Sequence, residues 1–252
     1  MKEREEKLFF EFVHKRTDTL NDQPFSDPAD FEWTPLLETN YQTIYDEVMT
    51  FFENHQKDFY PYFSDELMNA PGKWRSFGFY FWGMRASKST CANFTKTLSL
   101  LKSIPGIVSA SISIMEPESE IKPHYGDTNA IYRCHYGLVI PSALPDAGFQ
   151  AGYEQRSWEQ GKFLIFNDAA YHKAWNHTSQ NRIILILDVI RPEFRNRTLW
   201  ICARVHSILF SQKLIAKNRH MEKVLRSPLI QWSMALYTWL KLGLFKRREM
   251  WL

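Results

Sequence analysis

The chain has 252 residues, of which 44% are hydrophobic and 15% aromatic, so it can bury a sizeable core and is not expected to be disordered. The 31 Lys and Arg against 28 Asp and Glu give a net charge of +3, which argues against nucleic acid as the main partner. Cys91, Cys134 and Cys202 form no paired framework, so we expect a reducing compartment rather than a disulfide-stapled secreted domain.

Helices and loops are predicted for the first part of the chain. The opening run MKEREEKLFFEFVHKR mixes charged and apolar residues as an amphipathic helix does, and it lacks the uninterrupted apolar stretch of a secretory signal. Prolines and polar residues predict a loop over residues 21–35. Apolar residues then recur at three- and four-residue steps over residues 35–55, which predicts a helix, and another helix is expected over residues 89–104.

Short strands are predicted for the middle of the chain. Phe77, Phe79 and Phe81 alternate with other residues after Trp74, which is typical of a half-buried strand. Further runs rich in β-branched and aromatic residues predict strands over residues 107–115, 131–140, 148–153, 162–166 and 183–190. This spacing favours a mainly β sandwich or jelly roll over an alternating α/β sheet.

The last part of the chain has helical character again, and residues 229–245 are mostly apolar. The sequence therefore divides into an N-terminal helical extension (1–30), a β domain (31–195) and a C-terminal helical region (196–252). A segment of about seventeen apolar residues is short for a membrane-spanning helix, which needs roughly twenty. Two interpretations stay open: the segment packs on the β domain, or its aromatic and basic residues make a peripheral membrane contact through residues 228–252.

Two histidines are the strongest candidates for a metal site. His124 in EIKPHYGDTN and His172 in FNDAAYHKAWN both fall at the ends of strands, where a jelly roll brings distant residues together. Imidazole suits Fe(II), and two such ligands leave positions open for substrate and dioxygen. Arg182 begins an apolar strand ten residues after His172, where a buried cation needs an anionic partner.

Three linked motifs carry a resemblance to a known family. The runs SISIMEPESEIKPHYGDTNAIYRCHYGLVIP, SWEQGKFLIFNDAAYHKAWN and NRIILILDVIRPEF occur in this order, and the likeness extends from about residue 31 to about residue 194. The sequence resembles the aspartyl/asparaginyl β-hydroxylase family of Fe(II)- and 2-oxoglutarate-dependent dioxygenases. This resemblance implies a double-stranded β-helix (jelly roll, cupin-like) core with helices at both ends, and the hydroxylation of an unactivated carbon.

The resemblance also implies a role for six residues. His124 and His172 would hold the iron and serve as the catalytic centre. Ser113 and Arg182 would bind the distal carboxylate of 2-oxoglutarate, and Arg133 and His135 would lie near its metal-binding end. A planar guanidinium binds a carboxylate through two hydrogen bonds, which would justify the burial of Arg182.

Two positions depart from the wider pattern. Gly126 stands where the dioxygenase superfamily has an iron-binding carboxylate, as in members of this branch, so we expect the metal to be held less firmly. Asp127 is one residue too far along a strand to replace that ligand. Ile131 replaces the first arginine of an Arg-x-Arg pair found in members that act on aspartyl side chains, so the substrate's anionic group would be held differently or be absent.

Ordinary structural roles compete with these assignments. His135 and Ser113, taken alone, would be unremarkable strand residues, and their roles depend on the motif. Trp158, Trp175 and Phe166 are more typical of core packing than of a substrate platform. Asn167 and Asp168 are expected to shape the turn before His172.

The substrate stays open at this level. The favoured prediction is the β-carbon of an aspartyl, asparaginyl or related amino-acid substrate. The alternatives are a lipid hydroxylase acting on an acyl chain, as in lipid A, a tailoring hydroxylase of small-molecule biosynthesis, and a non-catalytic jelly-roll binding module. We expect a small-molecule, peptide-borne or lipid substrate, no nucleic-acid partner, and a cytoplasmic location that extends to the inner membrane face.

Overall fold

Two antiparallel β-sheets form the centre of the computed structural model, which describes residues 23–62, 67–86 and 91–246. The large sheet has the strand order β1-β10-β7-β12-β5-β3-β2, with β4 paired to β3, and the small sheet has the order β6-β11-β8-β9. The strands are β1 (Phe25–Ser26), β2 (Tyr60–Pro61), β3 (Trp74–Phe81), β4 (Met84–Arg85), β5 (Ile107–Met115), β6 (Ser119–His124), β7 (Ile131–Val139), β8 (Ala147–Ala151), β9 (Glu154–Arg156), β10 (Phe163–Asn167), β11 (His172–Asn176) and β12 (Arg182–Ile190).

The central strands of the large sheet are buried on both faces. In β12, Leu185 and Leu187 face the helices, whereas Arg182, Ile184 and Asp188 point the other way. The same alternation in β5 and β7 sends a row of polar side chains toward the small sheet. A one-residue slip in register would exchange the two sets, so the apolar face packed on the helices also fixes which side chains enter the space between the sheets.

Three helices cover the outer face of the large sheet: α1 (Thr34–Thr39), α2 (Tyr41–Asn54) and α3 (Thr95–Lys102). The predicted helix over residues 35–55 is therefore broken near Asn40. The Glu47 carboxylate of α2 accepts hydrogen bonds from the backbone N–H groups of Lys96 (2.9 Å) and Thr97 (2.8 Å). These bonds satisfy donors at the start of α3 that the helix itself leaves unpaired.

The C-terminal helices are α4 (Thr198–Lys217), α5 (Glu222–Leu225) and α6 (Pro228–Lys246). A third apolar cluster joins α4 and α6 to the large sheet and includes Ile131, Ile190 and Leu242. The Gln231 amide nitrogen donates to the Ser211 hydroxyl at 2.8 Å, which fixes α6 against α4. None of the helices within the described ranges is long and apolar enough to cross a membrane.

The predicted double-stranded β-helix with C-terminal helices is confirmed by this arrangement. The expected N-terminal helix, and the first two residues of the predicted 89–104 helix, lie outside the described residues. Strand β1 lies inside the predicted 1–30 extension but pairs with β10, which makes it part of the large sheet. The five strands predicted beyond the β3 region are present, whereas β6, β11 and the short strands β1, β2, β4 and β9 escaped prediction.

Leu185 provides a test of the core. It is fully buried in β12 between β5 and β7, so Leu185→Ala should lower the free energy of unfolding by about 2–5 kcal/mol. Leu229→Ala is the matched control because that side chain is 72% exposed, and it should change the stability by less than about 0.5 kcal/mol. Urea denaturation followed by circular dichroism measures both; equal effects would contradict the described packing.

Candidate active site

Two imidazoles meet at one end of the small sheet. His124 is the last residue of β6 and His172 the first residue of β11, and the two are direct partners across the antiparallel pair. Their ring centroids lie 4.2 Å apart with an angle of 58° between the planes. The strand register thus brings together two residues that are 48 positions apart in the sequence.

Backbone carbonyls determine which ring nitrogens carry the protons. Nδ1 of His124 lies 2.8 Å from the carbonyl oxygen of Lys122, and Nδ1 of His172 lies 2.7 Å from that of Ala170. A carbonyl oxygen only accepts, so each Nδ1 is the donor, and a neutral ring with its proton on Nδ1 has an unprotonated Nε2. Burial lowers the pKa of His172 to about 3, so this ring is neutral. An imidazole with Nδ1–H bonded to the backbone and a bare Nε2 is the form that binds a divalent metal.

Among the residues that the structure describes, no third protein ligand joins this pair. Within the described residues, no cluster of three or more His, Cys, Asp or Glu side chains has the geometry for a metal ion. A Cβ atom at Gly126 would overlap the carboxylate of Asp168. The backbone N–H of Gly126 donates to the Asp168 carbonyl oxygen at 2.8 Å, which holds the two segments close. Glycine at position 126 is therefore a packing requirement of this site.

A buried ionic network lies beside the histidines. The Arg133 guanidinium contacts Asp168 (Nη1–Oδ1 2.6 Å) and Asp188 (Nε–Oδ1 2.8 Å and Nη2–Oδ2 3.2 Å). Desolvation, reinforced by the charge of Asp168, raises the pKa of Asp127 to about 7. Two carboxylates therefore neutralise the charge of Arg133 within the protein. The role of Arg133 at the metal-binding end of 2-oxoglutarate stays a prediction.

Arg182 differs from Arg133 in that no carboxylate among the described residues forms an ion pair with it. Its side chain is buried, and its Nε and Nη1 atoms have no hydrogen-bond partner in the part of the chain that the structure describes. The guanidinium lies 4.8 Å from the ring centroid of Trp158, and burial lowers the pKa of Arg182 to about 9. Unpaired donors on a buried cation are costly, and an anion bound at this point would satisfy them and stabilise the charged guanidinium.

Ser113 and His135 supply further donors to the same cavity. The Ser113 hydroxyl oxygen accepts the indole N–H of Trp74 at 3.0 Å, so its own hydrogen is available for an oxygen atom of a ligand. Nδ1 of His135 accepts the indole N–H of Trp158 at 3.1 Å, which places the ring proton on Nε2. Burial, followed by the charge of Arg182, lowers the pKa of His135 well below its usual value and keeps the ring neutral.

One cavity of about 450 Å³ connects these groups, and all six predicted site residues line it. Its inner part contains the histidine pair, the two arginines, Ser113 and His135. Its outer part lies beside the β3–β4 hairpin and α4. The outer lining includes Tyr80, Phe81, Trp82, Met84 and Leu209, together with the polar residues Arg85, Ser109 and Ser111.

Sequence reasoning missed part of the site. Trp158 packs in the core as expected, but it also bonds His135 and stacks on Arg182. Asp188 interrupts the apolar run ILILDVI, a signal that could have identified it as a buried partner of Arg133. Asp168 contacts Arg133 in addition to its expected place in the turn before His172, and the sequence carries no signal for this contact.

Fold and cavity together define a double-stranded β-helix protein with paired imidazoles and an unpaired buried guanidinium. Residues 38–192 match the family described as "Aspartyl/Asparaginyl beta-hydroxylase", and the chain belongs to that family.

Two relatives and one solved structure illustrate the similarity. An ornithine lipid ester-linked acyl 2-hydroxylase of Rhizobium tropici is 29% identical over 180 residues, covering 69% of this chain and 62% of that protein. The human aspartyl/asparaginyl beta-hydroxylase is 34% identical over 182 residues, covering 69% of this chain and 23% of that protein. This chain thus spans less than two thirds of either relative. A Pseudomonas putida prolyl-4-hydroxylase structure aligns with 69% of this chain and 96% of its own, at 12% identity and a TM-score of 0.39.

The contact between Gly126 and Asp168 yields a prediction. Gly126→Ala should lower the free energy of unfolding by about 1–3 kcal/mol, because the new methyl group displaces Asp168 from Arg133. Gly78→Ala is the matched control: it lies in β3, and a Cβ there meets nothing within 4 Å. Both are measured by urea denaturation. If the two variants unfold alike, the space at position 126 is not filled as described.

Proposed function

We propose that this protein is an Fe(II)- and 2-oxoglutarate-dependent hydroxylase. The observation that carries the proposal is a pair of adjacent imidazoles and a buried guanidinium with unpaired donors, all lining one cavity. The family supports the same activity, since its description names a hydroxylase. A binding module without catalysis would have no need for two metal-competent nitrogens beside an unpaired cation.

Each residue has a defined part in this proposal. His124 and His172 hold the metal through Nε2, and their Nδ1–H bonds to the backbone keep both rings oriented. Bound iron supplies, together with 2-oxoglutarate and dioxygen, the oxidising power for hydroxylation of a carbon–hydrogen bond. Arg182 and Ser113 hold the distal carboxylate of 2-oxoglutarate, and the Nε2–H of His135 donates to the same molecule.

The surrounding residues hold these groups in place. Trp158 fixes the tautomer of His135 and covers one face of the Arg182 guanidinium. Asp168 and Asp188 hold Arg133 at the inner wall, so the inner cavity keeps its shape before any ligand enters. A preformed site lowers the conformational cost of binding, and its apolar walls strengthen the interaction between Arg182 and a carboxylate.

Arg182→Met tests the co-substrate site. The variant keeps much of the apolar volume but removes the charged donors, so 2-oxoglutarate should bind at least about 100-fold more weakly while the fold remains stable. Arg156→Met is the matched control because Arg156 lies at the surface in an ion pair with Glu154. Calorimetry without oxygen, with Mn(II) in place of iron, measures both. Unchanged affinity in Arg182→Met would rule out this binding mode.

The apolar outer cavity favours an acyl chain as the substrate. Its walls carry aromatic and aliphatic side chains from β3 and α4 and Met84 of β4, which suit a hydrocarbon chain, and Arg85 of β4 is the charged group among them. Ile131, at the position of the arginine in members acting on aspartyl side chains, is fully buried beside α4 and offers no charge for a carboxylate. The name of the Rhizobium relative, an acyl 2-hydroxylase, agrees with this choice. Hydroxylation of an aspartyl or asparaginyl β-carbon is the second candidate, supported by the human relative.

Leu209→Trp distinguishes the two substrates. A larger ring at this wall should narrow the apolar part of the cavity, so succinate formation stimulated by an acyl lipid should fall at least about tenfold. Phe210→Trp is the matched control because Phe210 is the next residue along α4 and its side chain is 55% exposed. Binding of 2-oxoglutarate should stay unchanged in both. Stimulation by an asparaginyl or aspartyl peptide, with none by lipid, would decide for the second candidate.

A further inference from the structure

The outward face of α6 is apolar. One side of this helix, with Gln231, Ala235 and Leu242, is buried against α4 and the large sheet. The opposite side exposes large apolar side chains along the length of the helix. They are Leu229 (72% exposed), Trp232 (53%), Tyr237 (61%), Leu240 (52%) and Leu244 (72%).

A helix on a water-facing surface needs only one apolar stripe, and its other side is normally polar. The second stripe of α6 leaves an extended apolar patch in water, which is a feature of surfaces that contact a partner or a membrane. Packing against the fold already uses the first stripe, whereas the second stripe is exposed within the described part of the chain.

The same region carries the positive charge of the chain. Residues 198–252 contain ten Lys and Arg against two Asp and Glu, whereas residues 1–197 contain 21 against 26. Exposed basic side chains follow α4 to its end, surround the turn before α6, and return on α6 itself. They include Lys213, Lys217, Arg219, Lys223 and Lys241. A positive, aromatic and apolar surface is complementary to anionic lipid headgroups above an acyl layer.

The cavity opens beside this region. Leu209 of α4 lines the cavity, and the next residue, Phe210, is 55% exposed. Phe81 (41% exposed) and Met84 (45%) contribute to both the cavity wall and the surface. Helix α4 therefore belongs to the cavity wall and to the basic helical region at once.

We propose that α4 and α6 dock this protein on an anionic lipid bilayer, with the outer face of α6 in the interfacial layer. Tryptophan and tyrosine rings are suited to the headgroup level, and lysine stems extend toward the phosphates. A second copy of the chain is a poorer occupant, because a symmetric contact through this face would bring two positive surfaces together. The docking residues are separate from His124, His172 and Arg182, so this inference goes beyond the hydroxylase proposal.

Vesicle flotation of the full chain tests the docking surface. The protein should float with vesicles that contain phosphatidylglycerol, and at least about tenfold less with pure phosphatidylcholine. Trp232→Ser combined with Leu240→Ser should weaken binding at least about tenfold, since two exposed apolar side chains are lost from the contact. The matched control is Tyr60→Ser combined with Tyr153→Ser, since these residues do not belong to α4 or α6 and their side chains are 68% and 79% exposed.

A charge variant and an active-site variant complete the test. Lys213→Gln, Lys217→Gln and Lys223→Gln together should weaken binding about 100-fold at low salt, because each basic residue near the surface contributes roughly 1 kcal/mol. His172→Ala should float like the unmodified protein even if it binds no metal, which separates this proposal from the hydroxylase proposal. The proposal would be overturned if the protein failed to float or bound neutral vesicles equally well. It would also be overturned if light scattering showed a dimer that only the Trp232 and Leu240 variant disrupts.

Discussion

The pairing of β6 with β11 is the constraint on which the site depends. Because the register sets His124 directly opposite His172, both rings enter the same space without any contribution from a flexible loop. The backbone carbonyls that receive the Nδ1 protons come from residues two positions before each histidine, so the same strand ends fix both the place and the tautomer. The site is therefore formed by sheet geometry.

The two arginines in the cavity have different electrostatic surroundings. Arg133 is neutralised by Asp168 and Asp188, and this closed network gives the inner wall its shape. Arg182 has a tryptophan face and unpaired donors in place of a carboxylate, which is a cost that a dicarboxylate ligand would offset. This contrast explains why two guanidiniums in one cavity serve different purposes. The glycine at position 126 belongs to the first network, because any side chain there would displace Asp168.

The sequence predicted the strands whose alternation or apolar character is strong, and it predicted that the two histidines belong together. It did not predict β6, whose run SEIKPH contains a proline and three charged or ionisable residues and is tolerated because β6 lies at the edge of its sheet. Contacts between distant strands and loops also determine the hydrogen bond from Trp158 to His135 and the ion pair between Asp168 and Arg133. Such contacts join residues 23 and 35 positions apart, and no local pattern encodes them.

The central claim is that metal and 2-oxoglutarate share one site, and the coupling between their binding tests it most directly. Calorimetry under anaerobic conditions gives the affinity for 2-oxoglutarate with and without Fe(II). We expect Fe(II) to strengthen binding at least about tenfold in the unmodified protein, and we expect this gain to vanish in His172→Ala while the weak metal-free affinity persists. An affinity that does not respond to Fe(II), or a gain that survives the loss of His172, would contradict the account.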